Sequence, residues 1–319
     1  MKLVYENRDS RIDLQEVNQL ARQPARFITD CEAAYETQLQ ELVRRMRERA
    51  HARILLLAGP SSSGKTTTAH KLAAYLEQAG AQAHVVSLDD FYLGMEFYPK
   101  LPDGTPDMES VDSLDLPLIN ETLSTLLQTG RALFPTFDFE RSCRGEAQNL
   151  IELGENGVIV MEGLHALNPR LVEALPQDAL YRAYVSTRTV YLDGEREVLT
   201  PKDARLIRRM VRDHKFRGRS PVDTLVGWKD VLDGEEKYIY PFRDSVDYRI
   251  DSAFDYEGCV FHHYILPMIE ELKKETVYRG KVRQIVDLLE AFDDIDFRYI
   301  PKHSLLREFI GSDPGQAQA

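Results

Sequence analysis

The segment I-L-L-L-A-G-P-S-S-S-G-K-T, residues 54–66, constrains the fold of this chain more than any other. Its five apolar residues read as a buried strand, and a turn with glycine at 59 and 64 follows. Residues 65–78 read as a helix that Ala79 and Gly80 end. A strand passing through a glycine-rich turn into a helix gathers backbone N–H groups at the positive end of the helix dipole, facing an anion. This is the context that confirms the Walker A pattern G-x-x-x-x-G-K-[ST]. Gly59 and Gly64 permit the tight turn, and Ser61, Ser62 and Ser63 line it with N–H groups. Lys65 reaches the β- and γ-phosphates, and the Thr66 hydroxyl ligates Mg²⁺. ATP with Mg²⁺ is the expected cofactor pair, with GTP left open, and the contacts are expected to run on to Thr67 in the first helical turn.

Around this unit, strands alternate with helices. A-H-V-V-S-L (83–88) and G-V-I-V-M (157–161) read as strands, residues 94–110 as a Pro/Gly/Asp-rich loop, and 116–128 as a helix. The expected fold class is α/β, a P-loop-type parallel sheet flanked by helices. Apolar positions from Pro24 to His51 recur at near-helical spacing, as do those from Glu257 to Glu290, where Pro267 marks a kink or break. The expected organisation is a helical extension over 1–52, a central domain over 53–256 with a lid at about 200–220, and a second helical extension over 257–319.

Two strand-end stretches carry acids. In M-E-G (161–163), Glu162 closes a buried strand beside the phosphate turn, placed to hold Mg²⁺ through water. In S-L-D-D-F-Y (87–92), Asp89 and Asp90 stand side by side, and on an extended chain they point to opposite sides. Asp90 is read as a turn carboxylate. Farther on, D-A-R-L-I-R-R-M-V-R-D (203–213) places Arg205, Arg208, Arg209 and Arg212 within an arc of about 100° of a helix. Like charges at such spacing disfavour an isolated helix by roughly 0.2–0.5 kcal/mol per pair. With Arg217 and Arg219 after it, this face reads as a lid delivering arginines to transferring phosphates. A short RNA-binding helix would look similar.

In this order, G-P-S-S-S-G-K-T, S-L-D-D-F-Y, P-T-F-D-F, M-E-G and D-A-R-L-I-R-R-M-V-R-D-H-K-F-R-G-R resemble the uridine kinase and phosphoribulokinase-like branch of P-loop kinases over roughly residues 53–255. A narrower likeness is to bacterial uridine kinase-like proteins, through G-T-P-D-M-E-S (104–110) and L-R-E-F-I-G (306–311). Some of those relatives carry modules like the front of threonyl-tRNA synthetase ahead of the kinase, and this chain is expected to lack them. The resemblance implies that Asp89 is the base for the acceptor hydroxyl. Asp112 holds ribose hydroxyls, Arg205 lies on the acceptor side, and Arg208 and Arg212 lie near the phosphates. Catalysis then falls to Asp89, Lys65 and Arg208, and Phe137, Asp138 and Arg144 join the acceptor pocket.

Uridine kinases typically read Y-D-F-x-x-H where this chain reads F-D-F-E-R-S, so Phe137 and Ser142 replace a tyrosine and a histidine. Phe137 keeps a stacking surface without the hydroxyl, and the change relaxes or redirects the choice of acceptor. The implied activity is ATP-dependent phosphorylation of a hydroxyl, first of all the 5′-hydroxyl of a nucleoside. A sugar phosphate, pantothenate-like alcohol or polyol is the alternative acceptor, and an ATP-dependent RNA-associated or regulatory protein is the alternative class. The formal charge of −12 argues against a broad nucleic-acid surface. No apolar run approaches the ~18 residues of a membrane span. Three dispersed cysteines suit a reducing cytoplasm. The expected partner is therefore a small hydroxyl-bearing molecule, with assembly into a homo-oligomer left open.

Overall fold

The strand at 54–58 becomes the middle of a five-stranded parallel sheet. The computed structural model describes residues 10–268, 272 and 278–312. In chain order the main elements are β1 (Arg11–Asp13), α1 (Leu14–Ala21), α2 (Pro24–Arg47), β2 (Ile54–Ala58), α3 (Lys65–Gln78), β3 (Gln82–Ser87), α4 (Leu116–Thr129), β4 (Arg131–Asp138), β5 (Cys143–Glu152) and β6 (Gly157–Glu162). There follow β7 (Leu180–Ser186), β8 (Val190–Asp193), β9 (Arg196–Leu199), α5 (Pro201–Phe216), α6 (Pro221–Val226), α7 (Trp228–Tyr238), β10 (Tyr248–Asp251), α8 (Glu257–Ile265), α9 (Arg279–Glu290) and α10 (Arg307–Ile310).

The main sheet has the order β10-β7-β2-β6-β3, and every neighbouring pair is parallel. β2 is buried along its whole length, which explains its unbroken apolar run: a parallel sheet is covered on both faces. Its side chains divide by the period of two. Leu55 and Leu57 enter an apolar core with α2, α3, α5 and α8, while Ile54, Leu56 and Ala58 enter a second core beneath α4. The first core also takes Ile12 and Val17 near the start and Leu305, Leu306, Phe309 and Ile310 near the end. Both flanking segments thus pack on the P-loop unit directly.

Two small sheets stand apart, the β4–β5 antiparallel hairpin and the set β1-β8-β9, in which β1 runs parallel to β8. The described part of the lead-in is therefore not helical throughout, since it includes the strand β1. α4 starts on Asp115, whose side chain accepts from the Leu118 N–H, and stops at Gly130 in a left-handed conformation. α5 starts on Thr200, with Pro201 in the first turn. The helical tail breaks where expected: α8 gives way to a 3₁₀ turn, Leu266–Met268, that contains Pro267. Residues 1–9, 269–271, 273–277 and 313–319 of the two expected extensions lie outside the described residues. Among the described residues no helix is long and apolar enough to cross a membrane.

Candidate active site

At the phosphate turn, Ser62 and Gly64 both have positive φ, 59° and 82°. Successive N–H groups then converge on one concavity, the nest geometry that holds anions. Gly64 is needed for that conformation, and Gly59 for space: a Cβ on it would stand 2.2 Å from the Val185 carbonyl oxygen. The hydroxyls of Ser62 and Ser63 are buried without a hydrogen-bond partner. Lys65 Nζ donates to the Pro60 carbonyl at 3.2 Å, folded back along the turn. Unpartnered polar atoms and a lysine over a nest are what a polyphosphate would satisfy, so the residues present fit a nucleoside triphosphate.

Beside the turn, the β2–β6 register pairs Leu57 with Glu162, which puts the carboxylate at the C-terminal end of the sheet next to Thr66. Glu162 Oε1 accepts long bonds from Thr66 Oγ1 and Ser87 Oγ, both 3.3 Å. Burial pushes the Glu162 carboxyl above its ordinary range, with Lys65 pulling it down and Asp89 pushing it further up. This hydroxyl and carboxylate set fits Mg²⁺, a hard cation that takes few protein ligands and keeps several waters.

Asp89 and Asp90 do not lie on a strand. β3 stops at Ser87, whose side chain accepts from the Asp89 N–H at 3.2 Å, and Leu88–Phe91 forms a 3₁₀ turn. Successive side chains in such a turn are ~120° apart, so the two carboxylates are still separated, but by turn geometry. Asp89 is exposed to solvent by surface area, yet it sits in a part of the cleft crowded by protein atoms. That enclosure raises its carboxyl, against the pull of Lys65 and Arg217. Enclosure also raises Asp90, with the Phe137 backbone opposing it.

Along α5 the arginines grip the phosphate turn. Arg205 Nη1 donates to the Ser61 carbonyl at 3.0 Å, and the same guanidinium forms a forked pair with Glu235 at 2.5 and 2.8 Å. Glu235 in turn accepts from the Ser61 N–H at 3.0 Å. Arg208, fully buried, donates to Glu257 at 2.8 and 2.6 Å and to the Ser252 carbonyl at 2.6 Å. Burial raises the Glu257 carboxyl, and Arg208 opposes it. Arg209 donates to Ser61 Oγ at 2.5 Å, while Arg212 bonds to Asp213 at 2.9 and 2.8 Å.

The expected acceptor residues divide. Lys65, Thr66, Asp89 and Glu162 are brought together. Asp112 pairs instead with Arg170 at 2.7 Å, and both line a cavity of about 490 Å³ with Leu114, Leu116, Pro117 and Asn120. Phe137 packs against Tyr92 and Phe139, with ring centroids 6.1 and 5.1 Å away. Asp138 caps the hairpin turn by accepting from the N–H groups of Glu140 and Arg141, both at 3.0 Å. Arg144 pairs with Asp115 at 2.7 Å, and Ser142 sits in the same turn with φ 51°.

Three residues in contact with this cluster were not singled out from the sequence, and a fourth, Arg217, was read only as part of the lid. Glu235 and Glu257 are the buried partners of α5. Glu109 lies near Arg209 and Lys65, which lower its burial-raised carboxyl. The Arg217 guanidinium, lowered by burial and by Arg212, sits near Asp213, Asp89 and Glu308. Glu109 was within reach, as the acid of G-T-P-D-M-E-S, and Arg217 as part of R-G-R. Glu235 and Glu257 carried no local signal.

A family model described as Phosphoribulokinase / Uridine kinase family matches residues 54–256. A uridine kinase from Ureaplasma parvum is 25% identical over 179 residues, 56% of this chain and 77% of that protein. One from Lactobacillus helveticus is 29% identical over 167 residues, 52% of this chain and 70% of its own. Among solved structures, a D-glycerate 3-kinase from Cryptococcus neoformans var. grubii aligns over 91% of this chain and 88% of its own, with a TM-score of 0.34 and 17% identity.

Proposed function

Because the chain belongs to the phosphoribulokinase / uridine kinase family, we propose that it transfers the γ-phosphoryl group of ATP to the 5′-hydroxyl of a nucleoside. The observation that carries the kinase chemistry is the meeting of Lys65, Thr66, Glu162 and Asp89 at one end of β2, β3 and β6, with the charge of Lys65 acting on both carboxylates. Phosphoryl transfer has a loose transition state, so positioning and charge neutralisation supply most of the rate. Lys65 and the turn N–H groups neutralise the phosphates. Thr66 and Glu162 would hold Mg²⁺, which adds neutralising charge when bound. Asp89 orients the acceptor hydroxyl and takes its proton. The nucleoside as acceptor rests on the relatives named uridine kinase.

A second reading keeps the chemistry and changes the alcohol to a sugar phosphate, a pantothenate-like alcohol or a polyol. Three observations favour it: Phe137 lacks the tyrosine hydroxyl, Ser142 stands in the hairpin turn with a positive φ, and Asp112 is held by Arg170. ADP release measured across a panel of nucleosides and such alcohols, with and without Mg²⁺, separates the two. Stimulation by a nucleoside alone supports the first. Stimulation by a different alcohol replaces it with the second. Hydrolysis indifferent to every alcohol overturns both.

A further inference from the structure

Residues 304–311 lie beyond residue 256, where the family match ends, yet they pack directly on the phosphate turn. Leu305 fills the space next to Gly64, 2.5 Å from where a Cβ would stand. Glu308 Oε2 accepts from Thr67 Oγ1 at 2.6 Å and more weakly from the Thr67 N–H at 3.4 Å. The Phe309 ring lies over the Arg208 guanidinium, 5.1 Å from its centroid. The segment is held firmly in this position. Arg307 donates to the carbonyls of Phe297, Pro301 and Gly311, Lys215 donates to the Ile310 carbonyl, and Leu305, Leu306, Phe309 and Ile310 are buried.

A nucleotide bound to this turn has a fixed direction. The lysine takes the β- and γ-phosphates, and the N–H groups of the turn cradle the α- and β-phosphates. The γ end thus faces Lys65 and Asp89, and the chain of phosphates leads back along the first helical turn toward Thr67. Whatever stands against Thr67 stands where the nucleoside leaves the turn. Arg217 fits the same line, since the charges of Asp89 and Glu308 both act on its guanidinium.

Resting on the proposed use of ATP, we infer that residues 304–311 form the nucleoside-binding wall of the site, with Glu308 as its hydrogen-bond acceptor. A carboxylate only accepts, and phosphates at neutral pH offer it nothing. A nucleoside offers ribose hydroxyls and, in adenosine, an exocyclic amine. Both bonds that Glu308 makes use Oε2, so Oε1 is uncommitted among the described residues. Glu308 therefore distinguishes a nucleoside triphosphate from a bare polyphosphate, which the turn alone does not.

The test is binding of unmodified ATP to the full chain, read by isothermal titration calorimetry, with inorganic tripolyphosphate titrated separately as the second probe. Glu308→Gln is expected to weaken ATP on the order of tenfold, as for loss of a bond to a charged group, and to leave tripolyphosphate within about twofold. Thr67→Val removes the anchor from the other side, keeps the backbone N–H, and is expected to act the same way if the first variant fails to fold. Unchanged ATP affinity in a folded variant makes the segment structural only and overturns the inference. So does a gain for both probes, which would make Glu308 an anion that competes with phosphate. If the unaltered protein binds neither probe, it is the kinase reading that fails.

Discussion

Arg205 and Arg208, in the first half of α5, are shut away from solvent with one buried glutamate each, Glu235 and Glu257. Arg209 and Arg212, farther along, and Arg217, just past the end, share a single buried aspartate, Asp213. Their side chains keep 17%, 13% and 60% of their surface open. One stripe of arginines therefore divides into a set with dedicated partners and a set without. The first ties α5 to the backbone of the phosphate turn. In the second, Arg209 still reaches Ser61 Oγ, and Arg217 leaves positive charge near Asp89, where a transferring phosphate would meet it.

If this division is real, variants in the two halves fail differently. Arg208→Ala leaves Glu257 buried without its cation, and breaking such a pair costs ~3–5 kcal/mol of stability. A denaturant midpoint should drop accordingly, and Glu257→Gln in the same chain should restore part of the loss. An unchanged midpoint would place Arg208 among the open set. Asp89→Asn should show the reverse pattern. Turnover falls by about 10²–10⁴, as for loss of a general base, while nucleotide binding persists. Its melting temperature should stay near the parent's, because Asp89 is exposed to solvent. Near-normal turnover in this variant would remove Asp89 from the chemistry.

Arg217→Ala should lower turnover by about a hundredfold, the effect of removing one preorganised donor. Its unfolding free energy should stay within ~0.5 kcal/mol of the parent, as expected for an open position. A stability loss as large as that of Arg208→Ala would erase the distinction between the halves.

Much of this frame was readable from the chain, and the parts that were not share a physical reason. β2 and β6 announce themselves because strands covered on both faces must be apolar throughout. The strand–turn–helix context then fixes Lys65 and Thr66, and strand register brings Glu162 beside them. The β4–β5 hairpin gave no signal because β5, C-R-G-E-A-Q-N-L-I-E, is mostly exposed and has no buried face to alternate with. The spacing of α5 showed its arginines on one arc but not their partners. Glu235 and Glu257 lie 30 and 49 residues away, on α7 and α8, and only tertiary packing delivers them. Asp89 was chosen over Asp90 through the family pattern, since both sit in a 3₁₀ turn that the alternation of a strand does not describe.

The finest test of the division is the acid limb of the pH–rate profile. Asp89 must be ionised to take a proton, so the rate falls as pH drops through its pKa. Burial raises that pKa, and Lys65 and Arg217 hold it down. Removing Arg217 takes away one of these counter-charges, so the Arg217→Ala limb should move to higher pH. The positive charge of Arg208 is matched by Glu257 within the buried pair, so a folded variant carrying Arg208→Met with Glu257→Gln, which removes both charges together, should keep the limb where it was. Equal shifts in both variants would mean that the cleft feels all the arginines of α5 alike. A shift confined to Arg217→Ala would show that the open end of the helix alone tunes the base.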